Sequence, residues 1–370
     1  MSTTPLDPPA PAGARATSRH LLITGAAGSV GALLVEEALA RGYQVRATDR
    51  PGAPAPAPRE GLQWVAADLT RAEALPALVE GIEAVVHAAA WVDIHVPFET
   101  QAPINLDAVR SLYGAAQAAG CRSFLFVSTG SLYAPSAVPL TEDSPVKAGS
   151  GYEQAKLLAE DYLRSRPEAG PTVNLLRPAL IYGPRGRVLV NALGTIPVLL
   201  APLRGGIVGL AGGPRTNLVH ACDVARAALF LVEQPASHGR VFNVAADEAA
   251  PFGDYAQIVL ELGGMRPLPW RVPFPTALLQ AGAPLINQPA LSAGLNRVLA
   301  GAWKLTARWH RLVPDGVAPR LDLEALPYMI RDTIFDNSRL KSLGFQYTYP
   351  DFRAGWENTL SWYRAQRWLS

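Results

Sequence analysis

The stretch His20-Leu21-Leu22-Ile23-Thr24-Gly25-Ala26-Ala27-Gly28-Ser29-Val30-Gly31 decides the fold. Its first half is a short apolar run that reads as a buried strand, and the run ends on a glycine. From Ser29 to Arg41, Val30, Leu33, Leu34 and Ala38 recur at helical spacing, and Gly42 supplies a stop signal. Strand, glycine turn and helix in this order form a phosphate cradle. The glycines permit a tight turn and let the backbone approach a pyrophosphate, and the helix N-terminus offers unpaired N–H groups and a positive dipole end. Gly25, Ala27, Gly28, Ser29, Val30 and Gly31 are therefore candidate contacts for a dinucleotide.

Reading onward, YQVRATD is the next strand and closes on Asp49. A carboxylate here accepts hydrogen bonds from ribose hydroxyls and repels a 2′-phosphate, which favours NAD over NADP. Arg50 follows at once, and it could instead face a 2′-phosphate or lie over the adenine. LQWVAAD, EAVVHAA, SFLFVST and TVNLLRP are further short β-rich runs, with helical segments expected over Ala72–Glu80 and Glu99–Ala119. Asp68 closes the third strand, where it could bond the adenine amino group. Strands alternating with helices predict an α/β, Rossmann-type, doubly wound parallel sheet. After Pro184 the alternation loosens, while Arg240–Ala245 reads as a strand returning to the main sheet. The expected organisation is a disordered tail over 1–19, a nucleotide-binding domain over 20–185 and a smaller mixed substrate lobe over 186–370, with about 216–250 rejoining the first sheet.

Composition excludes several classes. Lys plus Arg is 33 against 31 Asp plus Glu, a net charge of +2, which gives no field for nucleic acid. Two cysteines, Cys121 and Cys222, cannot build a disulfide scaffold, and no His, Cys or acid cluster has metal-ligand spacing. The expectation is a reduced, cytoplasmic globular protein. The Pro/Ala-rich start lacks an apolar run for a signal peptide. The long uncharged stretch Val272–Asn296 carries Pro273, Pro275, Pro284 and Pro289, which argues against a spanning helix.

Chemistry concentrates in Tyr152-Glu153-Gln154-Ala155-Lys156, which places a phenol and an ammonium one helical turn apart. An unperturbed phenol, with pKa near 10, exchanges protons poorly at neutral pH, and a nearby ammonium lowers that value. The preceding strand Phe124–Val127 runs into the hydroxyl cluster Ser128-Thr129-Gly130-Ser131-Leu132-Tyr133 at a strand's carboxyl end, where open α/β sheets bind ligands.

Together these marks resemble the extended short-chain dehydrogenases/reductases, the NAD-dependent epimerase/dehydratase superfamily. TGAAGSVG, Asp49, Asp68, His87-Ala88-Ala89-Ala90, Asn105, the hydroxyl cluster, YEQAK, RPALIYGP (Arg177–Pro184) and VHACDVA (Val219–Ala225) run in family order over about Leu21–Ala245, and FDNSRLKSLGF (Phe335–Phe345) matches the usual C-terminal segment. The resemblance implies that Tyr152 is the general acid/base and that Lys156 binds the nicotinamide ribose and lowers the phenol's pKa. It makes Thr129 the catalytic hydroxyl, with Ser131 in reserve. It also places Leu69, Ala88, Ala89, Ala90, Asn105, Val127, Ser128, Pro178 and Leu180 along the cofactor, and Val92, His95, Ser131 and Tyr182 near the substrate. His220 and Asp223 are expected to brace the junction between the two parts rather than react.

Within the family, three features are similar to 3β-hydroxysteroid dehydrogenase-like members. Nucleotide-sugar members often carry a diphosphate-binding Arg where this chain has Thr216, although Arg215 is adjacent. The segment after Pro184 is apolar with few charges, and Arg266–Asp332 forms a long insertion. In that insertion an amphipathic helix is expected over Arg297–Arg311. Arg297, Lys304, Arg308 and Arg311 lie toward one face, with Val298, Leu299, Ala302, Leu305, Trp309 and Leu312 toward the other. Residues 297–312 are thus either a peripheral membrane contact or a cover over the substrate pocket. The expected activity is NAD(H)-dependent interconversion of a secondary alcohol and ketone on a bulky apolar substrate, with NADP(H) and a homodimer left open. The alternatives are a nucleotide-sugar epimerase or dehydratase, an oxidative decarboxylase of a β-hydroxy acid, and a non-catalytic NAD-sensing module.

Overall fold

Leu21–Thr24 of β1 (His20–Thr24) are buried, because strands lie on both sides of β1 and helices cover both faces. The structure is a computed structural model that describes residues 19–370 except 167–169, 188, 202–206, 287 and 321–325. Nearly all of the tail expected over 1–19 therefore lies outside the described residues, as does part of the apolar segment after Pro184.

After β1 come α1 (Ser29–Ala40), β2 (Gln44–Asp49), β3 (Leu62–Ala66), α2 (Leu75–Val79) and β4 (Ala84–His87). The chain continues through α3 (Phe98–Ala102), α4 (Ala108–Ala118), β5 (Ser123–Val127), α5 (Gly151–Arg164) and β6 (Thr172–Pro178). Beyond lie β7 (Leu180–Tyr182), α6 (Thr195–Leu199), β8 (Ile207–Ala211), β9 (Arg215–His220), α7 (Ala221–Glu233), β10 (Val241–Val244) and β11 (Ala249–Pro251). The last elements are α8 (Phe252–Leu262), β12 (Pro267–Pro273), α9 (Thr276–Ile286), α10 (Pro289–Trp309), α11 (Leu326–Ile330), α12 (Ser338–Ser342) and α13 (Phe352–Ala365).

The main sheet has the order β10-β6-β5-β4-β1-β2-β3, and every pairing in it is parallel. This is the Rossmann-type doubly wound sheet expected from the alternation. The chain walks outward from β1 to β3 and returns on the other side at β4, so a crevice opens at the carboxyl ends of β1 and β4. There Thr24 lies opposite His87. The strand read over Arg240–Ala245 does return, with Val241 beside Leu175 of β6. A smaller sheet, β11-β9-β7, and a parallel pair, β12-β8, complete the strands among the described residues.

One apolar cluster lies under α1 and α7 and continues through Tyr182 to Trp303 and Trp356. A second lies under α2, α4 and α5 on the opposite face. Two local expectations need correction. The helix expected over Glu99–Ala119 is interrupted by a wide turn at Pro103–Asp107, because Pro103 has no N–H to continue the α-helical ladder. The proline-rich insertion is also more regular than its composition suggests. Pro289 starts α10, where its missing N–H costs nothing.

The faces of α10 differ from the expected ones. Trp303 and Ala307 point into the protein, and Leu299 and Leu312 are half-buried, whereas Val298, Ala302, Leu305 and Trp309 are exposed. Among the described residues no helix is long and apolar enough to cross a membrane.

Candidate active site

Gly25 has a φ of 69°, and a Cβ there would lie 2.7 Å from the backbone of Ala89 at the end of β4. A Cβ on Gly31 would lie 2.0 Å from the Gly25 carbonyl oxygen. Only glycines allow β1, α1 and β4 to approach this closely. Gly28 caps α1 without a side chain, so the first-turn N–H groups remain for an anion. Asp49 is fixed beside this turn, its two oxygens accepting from Ala27 N at 2.9 Å and Arg50 N at 2.8 Å, and each oxygen keeps a lone pair for a ribose hydroxyl. The Arg50 side chain is exposed. These features fit a dinucleotide.

Other predicted cofactor positions vary in exposure. The Asp68 carboxylate accepts from Thr70 N and Thr70 Oγ1, and these bonds hold its carboxyl below the usual range. The Leu69 side chain is buried in the core, and Ala88 and Ala89 are half-buried while Ala90 is exposed. Thr24 Oγ1 accepts from Ala89 N at 3.2 Å and shares a 2.8 Å hydrogen bond with His87 Nδ1, which ties β1 to β4. His87 is wholly inaccessible, and burial, with the Lys156 charge, pushes its pKa down to about 3. It is a packed strand residue. The Asn105 carboxamide accepts from Trp91 N at 3.0 Å and donates to Trp91 O at 2.8 Å, so it holds the loop after β4.

The reacting groups sit on α5 and the end of β5. Ser150 and Glu153 form a capping box that starts α5 at Gly151, which fixes the position of Tyr152 one residue later. Tyr152 and Lys156 are both buried, one turn apart. Lys156 Nζ donates to Val127 O at 2.9 Å and lies 6.0 Å from the centre of the Tyr152 ring. Burial, opposed by the charge of Glu160, brings the lysine down to about 7. Thr129 Oγ1 and Ser131 Oγ are 3.0 Å apart, and Thr129 Oγ1 also accepts from Ser131 N, so the two hydroxyls form one unit. Ser128 Oγ is buried with no hydrogen-bond partner among the described residues, as expected of a group that a ligand must satisfy.

A cavity of about 710 Å³ opens over this chemistry. Ser128, Thr129, Ser131, Tyr152, Pro178 and Leu180 line it, together with Val92 and His95 on the loop after β4. Tyr182 is not brought there. Its ring is buried against His220, Phe352 and Trp356 and does not line the cavity, which corrects the substrate contact expected for it. His220 and Asp223 both contact the segment after α12. The Asp223 carboxylate accepts from Thr348 N and Tyr349 N, and the His220 ring lies 4.2 Å from that of Tyr349. Among the described residues no group of His, Cys, Asp or Glu could hold a metal ion.

Three contributions were not foreseen. Ala283 of α9 and Leu326, Tyr328 and Ile330 of α11 also line the cavity. No periodic pattern marks the short α11, so the sequence carries little signal for it. Gln101 is inaccessible and donates to Asp93 O at 2.6 Å, locking the loop that carries Val92 and His95. Arg177 of β6 and Glu160 of α5 form a buried bidentate ion pair at 3.0 and 2.6 Å. An arginine inside a strand whose neighbours Leu175 and Leu176 are core residues is the signal that an acid must be near.

A glycine-cradled dinucleotide crevice beside a buried tyrosine–lysine helix defines a class of nicotinamide-dependent oxidoreductases. The chain belongs to the NAD dependent epimerase/dehydratase family, whose model matches residues 21–245. It is 28% identical over 266 residues to a 3-beta-hydroxysteroid dehydrogenase of Mycolicibacterium neoaurum, covering 67% of this chain and 71% of that protein. It is 32% identical over 242 residues to a UDP-glucose 4-epimerase of Mycolicibacterium smegmatis, covering 60% and 76%. Among solved structures it is similar to MoeE5 in complex with UDP-glucose and NAD, with a TM-score of 0.66 and 25% identity over 94% of this chain and 99% of that one. The protein is an NAD-dependent oxidoreductase that acts on CH–OH groups.

Proposed function

We propose that the protein interconverts a secondary alcohol and a ketone on a bulky apolar substrate. The observation that carries this reading is the cavity wall. Beyond the hydroxyl cluster it is built largely from aliphatic and aromatic side chains, among them Ile94, Leu140, Leu180, Leu326 and Ile330. Where nucleotide-sugar members often hold a diphosphate with an arginine, Thr216 is fully buried, and the neighbouring Arg215 donates to Ala249 O.

Bound NAD supplies the carbon that takes up or delivers hydride. The chain's own groups handle the oxygen. Thr129 Oγ1 donates a hydrogen bond to the substrate oxygen and holds it, while Ser131 orients that hydroxyl. Tyr152 Oη passes its proton to the oxygen during reduction and receives it during oxidation. Lys156, held by the Val127 carbonyl, stabilises the phenolate when it is protonated.

A second reading, a nucleotide-sugar epimerase, draws on the resemblance to UDP-glucose 4-epimerase and on Lys147 and Arg331, two cations in the cavity wall. NADH absorbance separates the two. Ketosteroids, long-chain β-keto acids and heteroaromatic ketones are compared with UDP-, GDP- and dTDP-sugars. Net NADH consumption with the apolar panel is expected. Sugar conversion without a net change in NADH would replace the first reading by the second.

A further inference from the structure

From Leu262 to Pro314 the chain carries six lysines and arginines and no acid, although its charges overall nearly balance at 33 to 31. The same segment holds most of the large apolar side chains that the described structure leaves exposed, including Trp270, Leu278, Val298, Leu305 and Trp309. Isolated surface leucines are ordinary, but a contiguous stripe marks an interaction site.

The stripe is laid out by α10, which is about 31 Å long from its 21 residues. Leu291, Leu295, Val298, Ala302, Leu305 and Trp309 succeed one another at steps of four, three, four, three and four, so they fall on one line. That line faces outward, with Val298 68%, Leu305 69% and Trp309 84% exposed. The inward line through Ser292, Trp303 and Ala307 is the one that packs. Arg297, Lys304, Arg308 and Arg311 flank the outward stripe, and among the described residues none of them is in an ion pair.

We infer that α10 lies flat on an anionic lipid membrane, its Leu/Val/Trp stripe in the acyl boundary and its basic flank at the headgroups. An apolar stripe bordered by cations, with no acid on the helix, is the composition of an interfacial helix. A second copy of the chain fits less well, since a two-fold contact through this stripe would bring the same cations together. The helix cannot span, so it rests on the surface. The placement also serves the site. Gln280 Nε2 of α9 donates to Ile330 O of α11, and Ala283 and Ile330 line the cavity, so the helix pair α9–α10 joins the membrane face to the cavity wall. Entry of an apolar substrate from the bilayer rests on the proposed function; membrane binding does not.

The test is sedimentation of the full chain with vesicles, without substrate. Phosphatidylcholine alone is compared with phosphatidylcholine containing about one-third phosphatidylglycerol. The wild type should sediment with the anionic vesicles, and high salt should weaken the binding. Leu305→Ser/Trp309→Ser should lower partition about tenfold or more, and Lys304→Glu/Arg308→Glu should abolish the preference for anionic lipid. All four side chains are exposed, and unchanged NADH affinity checks that the variants are folded. Failure of the wild type to bind, or equal binding by the Ser variant, overturns the inference. So does a concentration-dependent dimer that the Ser variant loses while vesicles have no effect, because the stripe would then be a self-interface. Since no substrate is present, none of these outcomes depends on the substrate reading.

Discussion

Replacing Glu160 by glutamine keeps the shape of the side chain and removes one charge of the buried pair that fastens α5 to β6. Glu160 is 0% and Arg177 2% exposed at the side chain, and two hydrogen bonds join them. Burial acts against the guanidinium charge, but Glu160, with Tyr133, holds the Arg177 pKa above its usual range. Glutamine can accept only one of the two bonds well and cannot neutralise Arg177, whose Nη1 has no hydrogen-bond partner among the described residues. Leaving a buried charge unpaired costs about 3–5 kcal/mol. At roughly 2 °C per kcal/mol for a chain this large, the melting temperature should fall about 6–10 °C. Thermal unfolding by circular dichroism measures this for Glu160→Gln, Arg177→Met and the double variant Glu160→Met/Arg177→Met. The double variant should lose less than the sum of the singles, because no charge is left orphaned. A shift below 2 °C in Glu160→Gln, or strict additivity, would refute the account of how α5 is held.

Two other outcomes follow from the buried groups. His87 and His220 are pushed by burial to about 3 and 4, so both stay neutral in the folded protein near pH 5 but take up protons when unfolded below about 6.5. Stability should therefore fall as pH drops from about 6.5 toward 4, by roughly 1.4 kcal/mol per pH unit for each histidine. Urea unfolding at pH 7 and 5 should show a smaller loss in His87→Asn than in wild type; equal losses would contradict this. Thr129→Ala should lower kcat about 10²–10³-fold, whereas Ser131→Ala should cost much less. The reverse order would make Ser131 the substrate-holding hydroxyl.

The sheet was legible because its signal is local. HLLITG, YQVRATD, LQWVAAD, EAVVHAA, SFLFVST and TVNLLRP each contain the strand observed, and the glycines stand where close backbone approach demands them. The tyrosine–lysine pair was legible for the same reason, since helical spacing alone puts both on one side of α5. What escaped depends on distant contacts. Tyr182 lies next to the cavity residues Leu180 and Ile181 in sequence, yet its ring packs against His220 and Trp356, contacts made by residues distant in the chain. For α10, composition indicated an amphipathic helix but could not say which apolar stripe packs. Trp303 and Ala307 took the inward side, leaving Leu305 and Trp309 outside. The Arg177–Glu160 pair joins residues 17 positions apart on different elements, a relation no periodicity reveals.

Tyr152→Phe tests the central claim most directly, because it removes only the hydroxyl that carries the proton. NADH consumption with a ketone turned over by the wild type is followed by absorbance, and NADH affinity by fluorescence titration. The account predicts a loss in turnover of about 10²–10⁴-fold with NADH affinity changed by no more than a few fold. Turnover within tenfold of wild type, or a loss of NADH binding as large as the loss of turnover, would contradict it.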